Sequence, residues 1–343
     1  MNTKRLIKKA VAGVMACAVI GGSSLPMAEQ FPALFQTAIT ANAISYCEFN
    51  PTTGVLTLRG NFTRTSVQAY ANDPRVKKVV CDYGTNFPTD CNCLFQNIQA
   101  TTMDLSNANT RNVTDMCGMF ANCTKLTSIN LSNFNTTSCK NMAGMFENCQ
   151  NLTSLSLLSF KTSQVTNMSH MFNYCTKLQS VRLDTFNTRN CTDMSYMFFD
   201  CEELKDIDIW DWDCSKVTNM SCMFSYCKSM KSFEAALINT SKVTDMSCMF
   251  EGCSALKSLD LRPLNTCGVK DMRSMFYGCS NLKTIYASAK FQTYFVLNST
   301  SKDMFYGCTN LVGGNGTTYS SDFTNKKYAR FDLPGQKGYF TKR

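Results

Sequence analysis

The sequence predicts an α/β solenoid: a right-handed, one-dimensional stack of units, each a short helix followed by a strand, with all strands in one parallel sheet and a cap at either end. Three observations predict it. Met-Phe pairs begin at Met119, Met145, Met171, Met197, Met223, Met249 and Met275 in strict 26-residue register, and an eighth at Met304 follows after 29. The register also holds Met116, Met142, Met168, Met194, Met220, Met246 and Met272, three residues before each pair. Four residues after each Met of a pair stand Cys123, Cys149, Cys175, Cys201, Cys227, Cys253, Cys279 and Cys308. Each unit finally combines two spacings. Val113, Met116, Met119, Phe120 and Cys123 fall at i, i+3, i+6, i+7 and i+10, one face of a short helix. Ile129 and Leu131 alternate with polar residues, the period of a strand with one buried face. Neither so short a helix nor a lone strand holds together in water, and stacking buries the apolar side of both.

The elements follow in order. Residues 1–43 read as a secretory signal: basic "MNTKRLIKK", an apolar "AVAGVMACAVIGG" of 13 residues, and small-residue "ANA" at 41–43, placing cleavage after Ala43. The apolar run is too short to span a bilayer, and no comparable run follows, so no integral membrane segment is expected in the mature chain. "VMAC" (14–17) faintly matches a lipoprotein box, but "AVIGG" follows where a polar tether belongs. Residues 44–98 form a strand-rich N-terminal cap, 99–312 the repeat array, and 313–343 a C-terminal cap. Within each unit Phe134 or its equivalent and "NT" turn the chain back toward the next helix. The lengthened eighth spacing contains "KFQTYFVLNSTSKD", a longer loop near the end cap, and "GGNG" (313–316) is a turn.

Composition narrows the function. The 343 residues are 44% hydrophobic and 17% charged, with a formal charge of +9. Beyond residue 43 the charge is 30 − 24 = +6, spread without a basic run, so no nucleic-acid partner is expected. The one histidine, His170, falls at a variable helix position facing solvent. No Ser-His-Asp set, His-bearing metal motif or phosphate-cradling loop can be assembled, so neither an enzyme nor a cofactor or metal is expected. Asp206 and Asp208 could pair for glycosidic chemistry, but an exposed face gives neither the burial that raises a general acid's pKa.

The recurrent cysteine has two readings, a metal or redox ladder or a small apolar plug where helix meets strand. Equivalent positions on neighbouring strands keep side chains near the strand spacing of about 4.8 Å, wider than a disulfide wants, which favours the plug. Cys81, Cys91, Cys93 and Cys117 match no strong metal pattern. Cys222 and Cys248 share one phase and are the surface pair best placed for a bond. The mature count of 19 is odd, so at least one thiol stays free or pairs outside the chain.

"NVTDMCGMFANCTKLTSINLSNFNT" (112–136) resembles the repeat of the BspA-like leucine-rich repeat surface proteins, and the resemblance covers roughly residues 99–312. "CTNLVGGNGTTYSSDFTNKKYARFDLPGQKGYFTKR" (308–343) is similar to the tail that closes such arrays. The resemblance implies a bacterial exported protein, secreted or at the cell surface, that adheres to host proteins or other cells. Cys139 and Cys191 depart from the family's Val, Met230 from its Leu, and Ala235 and Ala287 from its strand Leu. The unit "KSMKSFEAALINT" should therefore pack more loosely.

On a concave strand face the outward positions form columns. One runs Asp104, Asn130, Ser156, Arg182, Asp208, Glu234, Asp260 and Tyr286, flanked by Asp184, Asp206, Trp210 and Arg262. Aromatic and charged residues on a preformed face suit a protein ligand, so Arg182, Asp184, Asp206, Asp208, Trp210, Glu234, Asp260, Arg262 and Tyr286 form the expected partner site of a monomer. By phase Trp210 is exposed and Trp212 is core. The alternative is an envelope-associated scaffold without one specific ligand.

Overall fold

The computed structural model describes residues 46–205, 207, 209, 212–233 and 238–342. The expected signal segment lies outside them. Strands β1 (Tyr46–Asn50) and β2 (Val55–Arg59) form an antiparallel hairpin. Its turn requires Gly54, whose φ is +68° and where a Cβ would sit 2.7 Å from the Arg75 carbonyl. A single helical turn, α1 (Arg64–Gln68), is capped by Thr63. From there every pairing between the described strands is parallel, with isolated antiparallel bridges at Val312–Thr318 and Leu333–Gln336. β2 pairs with β3 (Lys78–Cys81), β3 with β5 (Thr102–Asp104), and β5 with β7 (Ser128–Asn130). A two-residue β4 (Thr85–Asn86) pairs with β6 (Ala108–Asn109). β8 (Ser154–Ser156) pairs with β9 (Ser180–Arg182), and β10 (Ser258–Asp260) with β11 (Thr284–Ala287), which also pairs with β12 (Phe340–Lys342). Met103 faces Ile129, Leu155 faces Val181 and Leu259 faces Ile285, so the pairing offset is the repeat length itself. The chain is a parallel β-solenoid of leucine-rich-repeat type.

The structure corrects the helix of each unit. Residues 116–123 and their equivalents form a ribbon of tandem turns with two left-handed residues four apart: Gly118 and Asn122, Gly144 and Asn148, His170 and Tyr174, Tyr196 and Asp200, all with φ between +56° and +59°. A left-handed residue at that interval ends any i→i−4 ladder. The amides divide instead. Met119, Ala121 and Cys123 donate back three residues, to Met116, Gly118 and Phe120. Met116, Gly118, Phe120 and Asn122 donate to Asn141, Ala143, Met145 and Glu147 of the next coil at 2.8–2.9 Å. A helix would keep all these donors to itself. The ribbon spends half of them on its neighbour, so each coil is zipped to the next opposite its strand as well as along it. Single parallel bridges through Asp90, Asp115, Asn141, Asn167, Asp193, Asn219, Asp245 and Asp271 continue that zipper along the array.

The inward face carries the residues expected there. Every Met-Phe pair from Met119–Phe120 to Met304–Phe305 is fully buried. Phe95, Phe120, Phe146, Phe172, Phe198, Phe224, Phe250, Phe276 and Phe305 stack in one column with centroids 5.2–6.1 Å apart. A second column, Phe134, Phe160, Phe186 and Trp212, has spacings of 6.2–6.5 Å, and Trp212 is core, as its phase requires. Met230 is buried and Phe233 packs edge-on between Phe224 and Phe250, so the described part of the departing unit fills its volume; Ala235 lies outside the described residues. Buried threonines stitch the turn between strand and ribbon: Thr136 Oγ1 donates to the Lys161 carbonyl (3.0 Å) and accepts the Lys161 amide (2.7 Å), and Thr110, Thr162 and Thr266 do the same with their neighbours.

The cysteine column is a plug with an added role. The described cysteines are free thiols. Each column thiol donates to the carbonyl of the Phe one coil back, from Cys123 to Phe95 (3.1 Å) through Cys308 to Phe276 (2.9 Å). That carbonyl already accepts one amide, as Phe120 does from Cys123, and the thiol satisfies its second lone pair. Burial pushes the Cys123, Cys175 and Cys308 thiols up to about 12.

Candidate interaction surface

The strand face carries the expected column where it is described. Asp104 stands beside Asn130, Ser156 beside Arg182, and Asp260 beside Tyr286 in direct register. A three-residue strand whose middle side chain points inward must turn its first and third outward, which puts Arg182, Asp260 and Tyr286 on one outer face. Asp206, Asp208, Trp210 and Glu234 lie outside the described residues. The charges at Arg182 and Asp260 are paired within their own coils. Arg182 forms an ion pair with Asp184, which holds that carboxyl below its ordinary value, and Arg262 grips Asp260 through Nε and Nη2, which raises the guanidinium. Asn130 Nδ2 donates to Asp104 Oδ1 at 3.1 Å. The described members thus form a row of polar and paired groups.

The ribbon edge holds a second cluster that phase alone missed. His170 does not face solvent freely: it is half-buried and stacks on Tyr196 one coil on, centroids 4.7 Å apart and planes within 4°. Phe199 lies 5.4 Å from Tyr196, 5.3 Å from Tyr174 and 5.7 Å from Tyr226, so five aromatic rings from three successive coils touch in one outward patch. Tyr174 is 43% exposed and the others half-buried. Tyr226 donates to Glu251 at 3.1 Å, and the Lys228 ammonium lies 6.0 Å from its ring. The positions were legible as equivalents spaced by the repeat. What hid them is their backbone: the left-handed conformation aims His170 and Tyr196 along the stack.

The same edge carries Cys222 and Cys248, both at φ +56°. They are free thiols, not a disulfide. The neighbouring Cys248 thiol, and after it the Tyr196 hydroxyl, hold the Cys222 thiol below its ordinary value, and the same pairing raises Cys248. Among the described residues no group of three His, Cys, Asp or Glu side chains is placed to hold a metal ion. No described helix is long and apolar enough to cross a membrane.

Against known proteins, the chain is similar at the level of fold to a leucine-rich repeat protein from Bacteroides ovatus (17% identity over 78% of this chain and 80% of that one, TM-score 0.41). It is similar also to one from Eubacterium ventriosum (17% identity, 79% and 82%, TM-score 0.36) and to internalin C2 from Listeria monocytogenes (17% identity, 66% and 84%, TM-score 0.31). No curated protein matches it. The fold assignment rests on the chain's own strand pairing. A family model described as "Mycoplasma protein of unknown function, DUF285" matches in four overlapping segments, residues 67–157, 89–210, 155–237 and 207–317. Those segments run through the whole stacked array, and the chain belongs to the DUF285 family.

Proposed function

We infer that this chain is an exported, non-catalytic binding scaffold of the BspA-like kind, made to hold a protein ligand of a host or bacterial surface. The observation that carries this reading is the aromatic patch of His170, Tyr174, Tyr196, Phe199 and Tyr226. Their coils are already closed by the Phe, Met and Cys columns, so the inward packing does not call for these rings. Partly exposed tyrosine and phenylalanine on a rigid support are what dominates binding at protein interfaces, because large rings are buried with little loss of side-chain freedom. The strand column of Arg182, Asp184, Asp206, Asp208, Trp210, Glu234, Asp260, Arg262 and Tyr286 is the companion surface, supplying charge where the patch supplies apolar area.

A pull-down of host and bacterial surface proteins followed by titration of the captured ligand tests the reading. The triple change Tyr174→Ser, Phe199→Ser, Tyr226→Ser should weaken saturable binding by about tenfold or more, on the order expected when central aromatics are removed. Asp184→Lys with Asp260→Lys should weaken it less and make it more salt-sensitive. A ligand bound equally by both variants, with circular dichroism unchanged, would remove both surfaces. No saturable ligand at all, with the protein fractionating with the envelope, would replace the binding reading by a structural one.

A further inference from the structure

The turn that leads from the threonine column into the ribbon is built alike in every coil. An amide donates back three residues at Val113, Cys139, Val165, Cys191, Val217, Val243, Val269 and Val296, closing a β-turn each time. Its two corner residues face outward, each exposed or half-buried. They are Arg111-Asn112, Thr137-Ser138, Ser163-Gln164, Arg189-Asn190, Ser215-Lys216, Ser241-Lys242 and Cys267-Gly268: polar or small in seven coils. In the eighth they are Tyr294-Phe295, 82% and 64% exposed. The residue after the buried valine or cysteine is Thr or Lys in those seven coils and becomes Leu297, 64% exposed. Large apolar side chains have thus replaced polar or small ones at three neighbouring positions on one exposed corner, while Val296 between them keeps its buried place.

What surrounds the corner is basic. Lys290, Lys302 and Lys327 are exposed, as is Lys270 one coil back. Lys326 Nζ donates to the Val296 carbonyl, which places the Lys326-Lys327 pair beside the turn. Asp303 is the near carboxylate, 3.9 Å from Lys302. Residues 288–343 hold eight Lys or Arg and three Asp, 8 − 3 = +5. One of those acids, Asp332, is buried and engaged by the Asn315, Thr317 and Gly338 amides and the Thr317 hydroxyl.

We propose that the Tyr294-Phe295-Leu297 corner is a lipid-docking tip that inserts into the interface of an anionic bilayer while the lysines around it meet the phosphates. A convex knob of two rings and a leucine suits a deformable apolar medium better than a rigid partner, which would need a matching pocket. Aromatic side chains favour the headgroup boundary, and lysines beside them gain from anionic lipid. The tip lies in the last coil, away from residues 170–226, so a chain held by it keeps the aromatic patch available for a protein.

The test uses the full chain with Phe295→Trp and vesicles of phosphatidylglycerol with phosphatidylcholine carrying brominated acyl chains. With the spectrum of the unsubstituted chain subtracted, the new indole should shift to the blue and be quenched, and Lys290→Glu with Lys327→Glu should abolish the quenching. In co-sedimentation, Tyr294→Ser, Phe295→Ser, Leu297→Thr should lower the affinity for the same vesicles by at least about tenfold with an unchanged thermal melt. Both proteins carry the same residues 1–43, so the difference reads the tip alone. An indole that is neither shifted nor quenched overturns the proposal, as does a triple variant that sediments like the parent. Concentration-dependent dimerisation abolished by the triple change would also overturn it, because the corner would then cover a second copy.

Discussion

At the scale of single residues, the cysteine column shows how a side chain can be chosen for two small properties at once. It must fit a fully buried corner, and it must offer a proton to a carbonyl that already accepts one amide; alanine does only the first. Because burial holds these thiols protonated, the unfolded chain gives up protons above its ordinary value of 9.0 that the folded chain keeps to about 12 at Cys123, Cys175 and Cys308. The unfolded state then binds fewer protons, and each such thiol removes about 1.4 kcal/mol of stability per pH unit in that window. Stability should be whole below pH 9 and fall as pH climbs toward 12, read as a lower urea midpoint at pH 10 than at pH 8; equal midpoints would contradict it. Iodoacetamide mapped by mass spectrometry should label exposed Cys267 in the native chain and reach Cys149, Cys201 or Cys279 only in denaturant. Met171, fully buried in the inward column, should cost about 2–5 kcal/mol when cut to Ala, seen as a lower thermal midpoint.

At the scale of elements, the tandem-turn ribbon is where sequence reasoning and structure part. Val113, Met116, Met119, Phe120 and Cys123 are all buried as their spacing requires, yet the backbone that carries them is not helical. Tandem turns of about three residues and a helix of 3.6 put nearly the same positions inward over so short a run, so apolar periodicity cannot separate them. The separating signal was the second, polar phase: Gly118, Asn122, Gly144, Asn148, Gly252, Gly278 and Gly307 sit where φ is positive, and Gly and Asn are the residues that tolerate it. Gly252 is a sharp test, since a Cβ there would lie 2.6 Å from the Tyr226 ring at φ +68°. Gly252→Ala should destabilise by about 1 kcal/mol or more and displace Tyr226, lowering the melt and disturbing the aromatic patch together.

At the scale of the whole molecule, a stack whose coils bond only to their neighbours should accept the loss of one whole period. Deleting residues 140–165 joins Cys139 to Thr166 in register and should leave a cooperative melt and parallel-sheet dichroism; deleting one residue fewer breaks both phase columns and should not. The sequence by itself determined the period, the inward residues and the parallel sheet, because a buried column must be apolar in every coil and repetition makes that visible. Tertiary structure alone decided the ribbon's backbone, the ring contacts of His170 with Tyr196 and the prominence of Tyr294 and Phe295. Those depend on which way a left-handed or corner residue aims its side chain across coils, and a one-dimensional pattern holds the phase of a residue but not that direction.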